Sequence, residues 1–97
     1  MSLENFIPLN QLCTHYKVEM SFFTHLNEFG LIEIETIEES PYIHQDKITD
    51  VEKMIRLHVE LDINFEGIDT VFNLLEKIHD LQAELTATKN RLRLYED

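Results

Sequence analysis

Ninety-seven residues suffice for one small domain and not for two, and a chain of that size buries somewhat over ~60 % of its unfolded surface in a single thin core. With 43 % hydrophobic and 28 % charged residues the composition is that of an ordinary globular chain, and two Gly and two Pro leave little material for a turn-rich β-sandwich. Cys13 stands alone, which excludes a disulfide scaffold and suits a reducing compartment. No apolar run approaches the ~18 residues of a membrane span, and Met1 to Asn5 lack the basic start of a signal peptide, so a soluble cytoplasmic protein with no membrane partner is expected. Eight Lys and Arg against nineteen Asp and Glu give a net charge of -11. Residues 1–46 hold one base, Lys17, and eight acids. Such a potential repels phosphate backbones and invites a basic protein surface.

The first element is a helix over Pro8 to Tyr16, with Leu9, Leu12, Cys13 and Tyr16 at helical spacing and Pro8 as its start signal. After a break at Lys17-Val18, a second helix runs from Met20 to Phe29 with Phe22, Phe23, Leu26 and Phe29 on one face. Glu19 is at its N-cap, and Gly30 is at the position that favours a left-handed residue. Beyond Gly30 the period drops from about 3.6 to 2 residues. Ile32, Ile34 and Thr36 alternate with Glu33 and Glu35, Glu38 to Pro41 form a turn, and Tyr42-Ile43-His44 return, so a β-hairpin is expected over 31–44.

Asp46 opens a third helix that carries Ile48, Val51, Met54, Ile55, His58 and Val59 toward the core, and Asp62-Ile63-Asn64 interrupt it. Asn64 is a good N-cap, and Ile63 can pack on Ile68 as a hydrophobic staple. From Phe65 to about Tyr95 nothing breaks the last helix. Roughly 30 residues at ~1.5 Å each exceed what so small a domain needs, so part of it must project. Val71, Ile78, Leu85 and Leu92 recur every seven residues, with Leu74, Leu81, Thr88 and Tyr95 three positions on, while Ile68, Phe72 and Leu75 widen the stripe only in the first half. The narrow second half predicts a homodimer with Leu85, Leu92 and Tyr95 in its interface; fraying of the last turns is the alternative. The division expected is 1–62 for the body and 63–97 for the helix.

Chemistry is sparse. Cys13 and His15 lie roughly 200° apart around a helix, and no histidine spacing matches a metal site. No glycine-rich phosphate loop or nucleophile–base pair is evident, so neither enzyme activity nor a cofactor is expected.

Two short helices, a glycine, a hairpin, a third helix and a long dimerising helix resemble the MerR-type winged helix-turn-helix, a mainly α fold. In that family the second helix begins with a pattern like Val-Ser-x-Arg-x-Leu-Arg-Tyr-Tyr-Glu. This chain has Val18, Glu19, Met20, Ser21, Phe22, Phe23, Thr24 and His25, so Ser21 and Thr24 replace the two arginines that grip DNA. Leu12-Cys13-Thr14-His15, Gly30-Leu31-Ile32-Glu33, the run from Arg56 to Asp62, Asp62 to Asp69 with Leu74, Leu75 and Ile78, and Arg91-Leu92-Arg93 together resemble the CbpM family of chaperone modulators over nearly the whole chain. That resemblance implies a homodimeric adaptor that binds the J-domain of a CbpA-type, DnaJ-like co-chaperone. It would suppress stimulation of the DnaK ATPase and reduce DNA binding by the co-chaperone. The acidic half suggests where it docks: Glu33, Glu35, Glu38 and Glu39, with Tyr16, Phe22 or Tyr42 as an apolar anchor. Direct binding of nucleic acid is not expected. The alternatives are a MerR-type DNA-binding regulator, favoured by Lys47, Lys53 and Arg56, and a plain dimerisation module.

Overall fold

Pro8 serves two elements at once: it ends a short strand and, with φ -62° and ψ 134°, stands at the N-cap of the helix that follows. A computed structural model describes residues 3–96. It contains strand β1 (Phe6–Pro8), helices α1 (Leu9–Tyr16) and α2 (Met20–Glu28), strands β2 (Glu35–Ile37) and β3 (Ser40–His44), and helices α3 (Ile48–Val59) and α4 (Phe65–Glu96).

Local chemistry explains each junction. Lys17 takes the left-handed conformation (φ 57°) that ends α1, and the Val18 N–H reaches back to the Cys13 carbonyl at 3.1 Å. Gly30 (φ 73°) closes α2 with a paired cap: the Gly30 N–H donates to the Asn27 carbonyl and the Leu31 N–H to that of Leu26, at 3.0 and 2.9 Å. These two bonds define a Schellman ending, which glycine adopts without the Cβ penalty. Asn64 caps α4 through its side chain, its Oδ1 accepting from the Gly67 N–H at 2.8 Å.

The hairpin is flanked by an additional strand that local periodicity does not signal. The antiparallel sheet has the order β1-β3-β2, with Ile7 opposite Ile43 on one side of β3 and Glu35 opposite Tyr42 on the other. Pro8, which has no N–H to give, belongs to an edge strand, where its loss is tolerated. The hairpin itself is shorter than expected. β2 begins at Glu35, and Ser40 and Pro41 join β3, so the loop is only Glu38-Glu39. The alternation also slips: Ile32 is buried, but Thr36 is exposed and Glu35 half-buried. α3 begins at Ile48, after a 3-10 turn over Gln45–Lys47, rather than at Asp46. Val59, expected inward, is 62 % exposed at the end of that helix.

The core joins every helix to the sheet. Leu9 and Leu12 from α1, Phe22, Phe23 and Leu26 from α2, Ile43 from β3, Val51, Met54 and Ile55 from α3 and Ile68 from α4 form one buried cluster with Ile32. Phe23 is its largest fully buried side chain, and cutting it to alanine would remove about 3–5 kcal/mol. α4 enters the core only near its start. Its 32 residues span ~48 Å. The radius of gyration is therefore 17.8 Å, against about 13 Å for a compact chain of this length.

Candidate functional site

The wing carries the acidic face. Glu33 is exposed in the loop ahead of β2, Glu35 is half-buried opposite Tyr42, and Glu38 and Glu39 form the tip. Both tip residues have positive φ, 50° and 67°, in a two-residue loop between Ile37 and Ser40. That is the pattern of a type I′ turn, which Asn-Gly fills without strain. Two glutamates there carry a Cβ penalty and sit side by side with like charge.

The three anchor candidates go to different places. Tyr42 is half-buried on the central strand, beside Glu35. Tyr16 is turned toward α3, where its hydroxyl donates to Glu52 Oε1 at 2.6 Å. That bond, then burial, then the carboxylate's charge hold the phenol in its neutral form and push its pKa up to about 12. Phe22 is 5 % exposed and belongs to the core, yet its ring also forms the floor of a surface recess. Nearby, burial pushes the Cys13 thiol up, away from the reactive thiolate.

Sequence patterning did not single out that recess. It has a volume of about 330 Å³ and lies where the starts of α2 and α4 meet the end of α3. Phe65, the first residue of α4, stacks with His25 (centroids 4.8 Å apart, planes at 27°) and with His58 (4.9 Å, 24°). Phe22 meets both Phe65 and His58 edge-on, at 5.7 and 5.1 Å. His58 Nδ1 lies 3.0 Å from the Ile63 carbonyl oxygen, and since a carbonyl can only accept, this nitrogen carries the proton. Val18, Glu19 and Ser21 complete the lining. A cluster of aromatic residues in the sequence, at 22, 25, 29, 58 and 65, was the only available signal, and it is spread over three elements.

The projecting part of α4 leaves its apolar row in solvent in the single chain. Leu85 is 56 % exposed, Leu92 57 % and Tyr95 88 %, and Leu74, Ile78 and Leu81 continue the row toward the body. Among the described residues no helix is long and apolar enough to cross a membrane, and no group of three or more His, Cys, Asp or Glu is placed to hold a metal ion.

A helix-turn-helix, a three-stranded wing and a long projecting helix define a winged helix-turn-helix protein, here with an acidic wing. The chain belongs to the family described as MerR HTH family regulatory protein, which matches residues 7–90. It is also similar to a chaperone modulatory protein CbpM from Pseudomonas entomophila, 24 % identical over 87 residues that cover 89 % of this chain and 86 % of the relative. A protein of the same name from Pseudomonas putida is 25 % identical over the same length. No solved structure matches the chain significantly.

Proposed function

We propose that the protein is a chaperone modulator: a dimeric adaptor that binds the J-domain of a CbpA-type, DnaJ-like co-chaperone and lowers its stimulation of DnaK and its DNA binding. The similarity to chaperone modulatory proteins over nine-tenths of the chain carries this reading. The electrostatics support it. Eight acids against Lys17 over residues 1–46 give the wing side a negative field that steers a cationic helix toward it. Glu33, Glu35, Glu38 and Glu39, with Tyr42 beside them, are the proposed contact, and Leu85, Leu92 and Tyr95 the proposed dimer seam.

The test is co-purification with a J-domain co-chaperone from the same cell, followed by association kinetics at several salt concentrations. Glu35 is half-buried, so the clean charge reversal is Glu33→Lys with Glu38→Lys, both on exposed residues that add little to stability. We expect slower association and a flatter salt dependence, with fold and dimer intact. Unchanged association at low salt moves the site off the wing, and failure to form any complex removes the adaptor reading.

Duplex DNA is the second reading, because the family is one of regulators and Lys47, Lys53 and Arg56 are exposed on and beside α3. Low-micromolar affinity for duplex at physiological salt, with the steep salt slope of phosphate contacts, would favour it over the first.

A further inference from the structure

The recess between α2, α3 and α4 has no part in the wing surface, and its chemistry is specific. We propose that it is a guanidinium site, and that it takes one arginine side chain from the basic partner. This rests on the adaptor reading for the identity of the partner but not for the existence of the site.

Three features argue for an arginine. First, the recess is built of flat rings. Phe65 is stacked with His25 and His58 with planes within 27° of parallel, so a planar group laid on an exposed imidazole face extends an existing stack. Guanidinium is the planar cation among the side chains, and it stacks on rings where an ammonium cannot. Second, among the described residues that line the recess, Glu19 carries the one fixed charge, and no Lys or Arg lines it. Glu19 is exposed at the N-cap of α2 and its side chain caps no backbone N–H of that helix; its carboxylate accepts one long bond, from the Ser21 hydroxyl at 3.5 Å, which leaves acceptor capacity for a partner's donor. The positive end of the α2 dipole opposes a cation there, but it amounts to about half a charge, against a full one on Glu19. Third, the His58 Nδ1 proton is directed to the Ile63 carbonyl, which holds that ring in place against Phe65 as a fixed flat wall.

Size fits as well. A volume of about 330 Å³ lies at the low end of the range for ligand pockets and suits one long side chain rather than a helix. Ser21 keeps it open, because a serine on the rim fills little of it.

The test is NMR titration of the intact protein with N-acetyl-arginine amide, using N-acetyl-citrulline amide as the neutral planar analogue and N-acetyl-lysine amide as the non-planar cation. We expect saturable shifts of the His25, His58, Phe22 and Phe65 ring protons with the arginine probe, several-fold weaker binding of the lysine probe, and none of the citrulline probe. Glu19→Gln should weaken the arginine probe at least threefold. Ser21→Arg, which fills the recess from within the chain, should abolish its shifts. Both changes fall on exposed residues, and unchanged amide spectra elsewhere verify that the variants fold. Equal binding of citrulline, shifts confined to other residues, or indifference to both substitutions overturns the proposal. The two readings separate cleanly. If the arginine probe binds but the J-domain does not, the recess stands and the adaptor reading falls. A J-domain that binds wild type and Ser21→Arg equally removes the recess and keeps the adaptor.

Discussion

The Tyr16 hydroxyl lies 2.6 Å from Glu52 Oε1 and ties the end of α1 to the middle of α3 across 36 residues of sequence. The phenol is half-buried and its preferred state is the neutral donor. The bond contributes to the fold, and the titration of Tyr16 gives a direct test. Spectrophotometric titration should find this tyrosine ionising at about 12, above the ordinary tyrosine value. The sign follows from the raised pKa: the bond contributes its full stability below the unfolded value near ~10 and loses it as pH rises through about 12. Tyr16→Phe should lower the urea midpoint by an amount equal to about 1 kcal/mol at neutral pH and abolish that alkaline step.

The wing tip should respond to turn chemistry. Replacing Glu38-Glu39 with Asn-Gly relieves two positive-φ positions that carry a Cβ and removes adjacent like charges. Stability should rise by about 1–2 kcal/mol in urea unfolding. In the same variant, association with a basic partner should slow, because two of the wing carboxylates are gone. A stabilised wing with unchanged association would place the contact elsewhere.

Gly67 should reverse a familiar preference. Alanine is the better helix former by about 1 kcal/mol in an exposed helix. Here a Cβ at Gly67 would come within 2.6 Å of Ile63 Cγ2 and 3.2 Å of the capping Asn64 Oδ1. Ile63 is β-branched and stiff, so the clash cannot be relieved by an easy rotation. Gly67→Ala should destabilise the protein in thermal unfolding, and Asn64→Ala should lower stability by about 1 kcal/mol through loss of the cap.

Assembly is tested at Leu85. An aspartate in the apolar row would bury a carboxylate against a second copy, at several kcal/mol unless paired. Sedimentation should show a wild-type dimer at tens of micromolar and a Leu85→Asp monomer with unchanged helical content. A wild-type monomer at that concentration would refute the seam.

Elements with local causes were legible in the sequence. Gly30, Asn64 and the apolar rows of α1, α2 and α4 announce themselves within a few residues, and the structure puts the caps where spacing predicted them. β1 was not legible, because three residues carry no period and Ile7 finds its partner, Ile43, far along the chain. The positive φ at Glu38 and Glu39 was hidden because their residue type argues against it. The recess escaped for a third reason: Phe22, His25, His58 and Phe65 are ordinary members of three amphipathic patterns, and only folding stacks them.

Because α4 is rooted in the body only through its first turns, it works as a lever. Phe65 is held among the rings of α2 and α3, and Ile68 in the core, while the row from Leu74 onward stands in solvent. From Phe65 to Leu92 and Tyr95 the arm is ~40–45 Å, so a tilt of ~10° at Phe65 carries them through ~7–8 Å. The angle at which the proposed second copy would be met is thus set near the ring stack, far from the residues that would touch it. Anything that enters the recess beside Phe65 acts at the fulcrum.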